Sequence, residues 1–142
     1  MTDQSLPDPD HLLRYVRKRS LIRKDGEVLG VLADAFKLKD NEVGLSAAWI
    51  EFHGGSADEQ IAQSKTAFTK VLKIGPNDRF VRGQVRTIKG ACFGFGCQVK
   101  IVRDPEPNFP SHAQVMNFRD EKDELLELLA TEAWAEILDV TG

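Results

Sequence analysis

Three prolines within six residues, Pro105, Pro107 and Pro110, divide the C-terminal half of this chain. Each holds φ near about −65° and lacks a backbone N–H, so the stretch RDPEPNFPSHAQV (103–115) cannot lie inside a sheet. One strand must end close to residue 103, and the next must begin close to His112. The segment between them is expected to be a rigid connector, and what His112 faces decides whether it is also chemical.

The flanking sequence alternates with period two. Phe80, Arg82, Gln84 and Arg86 share one side of FVRGQVRTI (80–88), with Val81 and Val85 on the other. In GCQVKIVRD (96–104), Cys97, Val99 and Ile101 oppose Gln98 and Lys100. Both segments, and HAQVMNF (112–118), are expected as strands with one solvated face. The glycine-rich KGACFGFG between the first two suggests a loop, bulge or bent strand. LLRYV (12–16) fits both periods poorly and is read as a strand. In LIRKDGEVLGVL, Asp25-Gly26 between apolar runs marks a tight hairpin. LSAAWIEF (45–52) reads as a buried strand or extended segment ended by Gly54-Gly55.

Two helices are expected. Ser56 with Glu59 three residues later forms a capping box, and Ile61, Phe68, Val71 and Leu72 share one helical face. Gly75-Pro76 stops the helix, which therefore spans about 56–73. DEKDELLELLATEAWAEILDV supplies an acidic amphipathic helix over about 119–138, with Leu126, Leu129, Ala130, Ala133 and Ile137 as its stripe. Pro7 and Pro9 break residues 1–9, which are expected as a disordered lead. Residues 10–142 then form one α+β domain, a mostly antiparallel sheet covered by the central and C-terminal helices.

The net charge of −3 conceals a strong polarisation. Residues 60–103 carry nine cations, Lys65, Lys70, Lys73, Arg79, Arg82, Arg86, Lys89, Lys100 and Arg103, against the single acid Asp78. Residues 104–142 carry ten acids against Arg119 and Lys122. A second basic block, Arg14, Arg17, Lys18, Arg19, Arg23 and Lys24, lies in RYVRKRSLIRK. Such asymmetry points to an anionic partner, unless the acidic helix neutralises the basic sheet internally. No apolar run approaches the roughly 18 residues that span a bilayer. MTDQSLPDPD lacks the basic and apolar regions of a signal peptide, so a cytoplasmic protein with no membrane partner is expected.

Cys92 and Cys97 are five apart, unlike a C-x2-C knuckle, and with His53 and His112 they do not make a persuasive zinc set, so no metal and no cofactor are expected. Ser111 and His112 are adjacent and would point to opposite faces of a strand, so they cannot act as nucleophile and base for one another. His112 could serve as a general base with Glu51 or Asp104 as its carboxylate. GACFGFG carries neither a dinucleotide fingerprint nor a Walker lysine.

The patterns AF (35–36), LSAAW (45–49) and DPEPNFPSHAQV (104–115) together resemble a group of small uncharacterised bacterial proteins. In that group a D-P-x-x-x-x-P-x-H-A element follows an earlier AF…LS segment. The resemblance covers roughly residues 12–116 and implies that Asp104, Pro105, Pro110, His112 and Ala113 form one unit. It brings no activity with it.

The leading expectation is a non-catalytic binding module whose 60–103 surface engages nucleic acid or another anionic partner. Arg82, Arg86, Lys89, Lys100 and Arg103 would supply the phosphate contacts, with Arg14 from the other block. Phe80, Phe93 and Phe95 are candidate stacking surfaces. Two other readings stand beside it. One is a small enzyme acting on a nucleotide or nucleic acid through His112. The other is a protein-binding, inhibitor or self-associating module that uses the acidic helix, with Trp134 as its anchor.

Overall fold

The structure, a computed structural model, describes residues 4–141. In chain order its elements are β1 (His11–Val16), β2 (Leu21–Lys24), β3 (Glu27–Val31), β4 (Gly44–Trp49), α1 (Ala57–Thr69), β5 (Arg79–Gln84), α2 (Val85–Phe93), β6 (Lys100–Arg103), β7 (His112–Met116), α3 (Asp123–Leu128) and β8 (Glu136–Asp139). Six strands make one sheet in the order β6-β7-β4-β1-β5-β8, antiparallel throughout. Strands β2 and β3 form a separate hairpin. Asp25 and Gly26 turn it with φ of 53° and 81°, the left-handed values a two-residue turn requires. The fold is α+β, as the element pattern implies.

Strand β1 lies inside the sheet and is apolar on both faces. Leu12 and Val16 join Val81, Val115, Leu129 and Trp134 in the larger core. Leu13 joins Ala48, Phe68, Phe80 and Phe109 in a smaller core on the opposite face. Helices α2 and α3 cover the first core and α1 covers the second. At the start of α1 the capping box forms: Glu59 N donates to Ser56 Oγ at 3.2 Å, and Ser56 N donates to Glu59 Oε1 at 3.1 Å. The helix ends at Thr69, short of residue 73. There the N–H groups of Lys70 and Val71 turn to carbonyls three residues back, which tightens the last turn.

Several expectations need correction. The segment 80–88 is not one strand. It leaves the sheet at Gln84 and enters α2, because Val85 N and Arg86 N donate to the carbonyls of Asp10 and Asp8. Those two bonds satisfy donors that the first turn of any helix leaves free. The glycine-rich stretch is correspondingly not all loop, since Lys89–Phe93 belongs to α2.

The acidic helix does not reach residue 138. It widens after Leu128 into a π-type turn closed by Trp134 N→Leu129 O at 2.9 Å, and the chain then becomes β8. Trp134 is fully buried, so it anchors the core and not a partner.

Residues 4–6 of the lead lie along the sheet. Leu6 is buried, Leu6 N donates to Ile101 O, and Arg103 N donates to Gln4 O, so residues 4–6 seal the outer edge of β6. The part of the expected disordered lead at residues 1–3 lies outside the described residues.

Gly83 on β5 is what allows the C-terminal turn to seat. A Cβ there would lie 2.7 Å from the Ala133 carbonyl oxygen and 3.1 Å from the Trp134 ring. Gly83→Ala is therefore expected to destabilise the fold by about 1–3 kcal/mol through overpacking. Gly90→Ala, in open space on α2, should instead stabilise by about 0.5–1 kcal/mol. Urea denaturation of the two variants beside the parent chain checks both signs.

Candidate functional site

The proline-rich connector is a tight hairpin loop between β6 and β7. Asp104 N donates to His112 O, Glu106 and Phe109 exchange both backbone bonds, and Trp49 N donates to Ser111 O. His112 is 6% exposed, with its Nδ1 3.0 Å from the Asp104 carbonyl oxygen, 3.2 Å from Asp104 Oδ2 and 3.9 Å from Glu106 Oε1. The Phe109 ring meets the imidazole edge-on at 5.3 Å. Asp104, Glu106 and His112 thus present one nitrogen and two carboxylate oxygens within 4.8 Å of one another. Clefts of the described residues open on other parts of the surface, two of them beside the Lys18–Ser20 turn.

Glu51 is engaged elsewhere. Its two oxygens grip His11, one accepting the backbone N–H at 2.7 Å and the other facing Nδ1 at 2.6 Å. This imidazole–carboxylate pair is half-buried and lies 40 residues apart in sequence, so no local pattern signals it. Both pairs fall at one end of the sheet, the N-terminal end of β1 and β7 and the C-terminal end of β4 and β6. His53 is separate, its Nε2 buried without a partner and its pKa lowered by burial despite a hydrogen bond with Gln63. Cys92 is a buried thiol that burial and the nearby Cys97 push up to about 12, a poor start for a metal thiolate.

The cations of residues 60–103 do not converge. Lys100 on β6 and Arg82 on β5 are four strand spacings apart, roughly 19 Å. Arg82 pairs with Glu136 at 3.1 Å and Arg79 with Asp139 at 3.3 Å, both acids supplied by β8. Lys89 pairs with Asp8 at 2.9 Å. Arg103 lies over the Trp49 ring at 5.3 Å. Arg86 is exposed on the first turn of α2. Of the aromatics, Phe80 is fully buried and Phe95 packs against the core, while Phe93 is 65% exposed.

The other basic block does gather. The short turn Lys18–Ser20 separates two clefts of about 410 and 600 Å³ that share Tyr15, Arg17 and Arg19. The first is also lined by Arg14, Lys37 and Lys39, the second by Lys18 and Lys73. Asp34 and Asp78 are the acids of the two linings. None of these cations reaches a carboxylate within ion-pair distance among the described residues. Lys37 and Lys39 had no distinguishing mark in the sequence. They join the block because the Ala33–Phe36 turn folds back over β1.

Asp78 is spent on the fold. It is 8% exposed and accepts from Tyr15 OH at 2.5 Å, Gly75 N at 2.7 Å and Lys18 N at 2.8 Å. Burial pushes its pKa up, but those hydrogen bonds outweigh burial and leave it below the usual carboxylate range. Burial and the bond to Asp78 push Tyr15 up to about 12. A carboxylate lowered in the folded state stabilises above its unfolded pKa, and that stability disappears as pH falls through the folded value. Asp78→Asn is therefore expected to cost about 2–4 kcal/mol at pH 7. Urea midpoints across pH 2–7 should show the parent chain and the variant converging below about pH 4.

Comparison with protein-family models, with curated proteins and with solved structures finds no match to this chain. No helix of the described residues is long and apolar enough to cross a membrane.

Proposed function

We propose that the protein is a binding module for nucleic acid, engaged at the basic face around residues 17–20. The observation that carries this reading is the gathering of Arg14, Arg17, Lys18, Arg19, Lys37, Lys39 and Lys73 on two adjoining clefts. One of the two lining acids, Asp78, already accepts three hydrogen bonds from the fold. Unpaired cations on adjoining concave surfaces suit a phosphate backbone, which supplies charge at regular intervals and releases counterions when it is neutralised. The 60–103 surface is the weaker candidate, because β8 and Asp8 already neutralise three of its cations.

An acid–base reading draws on the His112–Asp104 and His11–Glu51 pairs. Against it stands the 6% exposure of His112. The protein-binding reading loses its apolar stripe, since Leu126, Leu129, Ala130 and Ala133 are all buried in the core.

Fluorescence anisotropy with a labelled single-stranded oligonucleotide tests the proposal. With about four phosphates neutralised, raising salt from 50 to 200 mM should weaken binding about 50-fold. The double charge reversal Arg19→Glu/Lys73→Glu should cost more than tenfold, and Arg82→Glu/Arg86→Glu less than threefold. The reverse ranking would return the interface to the 60–103 surface, and no retention at low salt by DNA or RNA would end the reading.

A further inference from the structure

Arg14 is a buried cation with no carboxylate at ion-pair distance among the described residues. It is 9% exposed. One terminal nitrogen donates to Ser46 O at 2.6 Å and the other to Ala35 O at 2.8 Å, and the guanidinium carbon sits 5.7 Å from the centre of the Phe36 ring. The third nitrogen, Nε, is buried with no acceptor. Carbonyl oxygens and an aromatic face solvate a cation without neutralising it. Burial lowers the guanidinium to about 10 while Glu42 acts in the opposite direction, so the charge persists at neutral pH. Buried charges in proteins are ordinarily paired.

Arg14 lines the cleft of about 410 Å³ together with Arg17, Arg19, Lys37 and Lys39, with Asp34 as the acid of the lining. That volume lies within the roughly 300–1,000 Å³ of small-ligand sites. We propose that this cleft binds a dianionic phosphate group, which supplies the contact counter-charge that Arg14 lacks. A phosphodiester carries one charge and continues in both directions, so it runs past the mouth of a cleft. A phosphomonoester carries about −1.5 to −2 at pH 7 and presents three oxygens at a free end, which can reach inward to a fork of arginines. The inference rests on the nucleic-acid reading above and gives it a polarity: the cleft receives a phosphorylated terminus. The same chemistry is offered by a free nucleotide or by inorganic phosphate.

Three probes separate these sources. Inorganic phosphate is titrated against chloride at constant ionic strength, with calorimetry and the melting temperature as readouts. A nucleoside 5′-monophosphate is titrated in the same way. One oligonucleotide is compared with and without a 5′-phosphate by anisotropy. Binding of inorganic phosphate should raise the melting temperature and strengthen from pH 5.5 to 7.5, as the second phosphate proton leaves near pH 6. The phosphorylated oligonucleotide should bind at least tenfold more tightly than its hydroxyl counterpart. Lys37→Ala/Lys39→Ala should bring the two within threefold of each other, and Arg14→Met should do the same. Lys37 and Lys39 line the open cleft, so the double variant keeps the test decisive if Arg14→Met does not fold. A response to inorganic phosphate or the monophosphate with indifferent oligonucleotide ends assigns the cleft to a small phosphorylated molecule.

No response to either small probe, with equal affinity for both oligonucleotides, overturns the phosphate site. So does a preference that survives in Lys37→Ala/Lys39→Ala. In either case salt-dependent oligonucleotide binding that falls in Arg19→Glu/Lys73→Glu would still leave the broader nucleic-acid reading standing.

Discussion

The guanidinium of Arg14 sits where three parts of the fold meet, and its burial sets how they can be arranged. It grows from β1, bonds β4 through Ser46 O, and bonds the Ala33–Phe36 turn through Ala35 O. Phe36, beneath it, contacts Trp134 with ring centres 5.9 Å apart, and Trp134 in turn rests against Gly83 of β5. A line of contacts therefore runs from a single cation through the larger core to β5, the strand paired with β1. Moving such an ion out of water costs several kcal/mol even after relaxation. Two charge-assisted hydrogen bonds and an aromatic face offset part of that cost. They do so only while the turn stays folded over β1. The turn that shields Arg14 also brings Lys37 and Lys39 to the cleft, so burial of one charge and concentration of the others have a common cause.

Local chemistry was legible in the sequence wherever it is self-contained. The capping box at Ser56 and Glu59 and the Asp25-Gly26 turn depend on residues within a few positions, and both form as read. The proline connector was legible for the same reason, since each proline removes a donor whatever surrounds it. Failures came where a distant segment decides. In 80–88, Val85, Ile88 and Cys92 already carry helical spacing, but the strand period overlaps it at Val81 and Val85. What ends the strand is the pair of carbonyls at Asp8 and Asp10, from a segment read as disordered. The C-terminal stripe 126–137 is a good helical pattern throughout. Its conversion into β8 follows from the unpaired outer edge of β5 and from the space above Gly83, neither of which is visible in residues 119–138.

The candidate site shows the same division. A run of nine cations in 60–103 is conspicuous along the chain, yet a strand sends successive side chains to opposite faces, and a sheet separates its strands laterally. Lys100 and Arg82 end far apart for that reason. The acidic tail then returns as β8, and its Glu136 and Asp139 neutralise Arg82 and Arg79. The block Arg14–Arg19 is shorter but spans the end of a strand and a tight turn, which keeps its side chains together. Lys37, Lys39 and Lys73 reach it only through the fold, and no linear count could have added them.

Strand β1 links the two regions that carry charge without a simple structural role. At its N-terminal end His11 meets Glu51, and the proline loop holds His112 against Asp104. At its C-terminal end Arg14 and Arg17 open onto the basic clefts. At the first end each imidazole meets a carboxylate at contact distance, so the fold itself supplies the partners. At the second end cations face cations, with Asp78 already committed to Tyr15 and two backbone amides. Contact partners within the chain are thus present at one end of β1 and lacking for the cations at the other. An incomplete set of charges around a concave surface is what an external anion can complete, and this is why the binding argument belongs with RYVRKRS and not with the loop around His112.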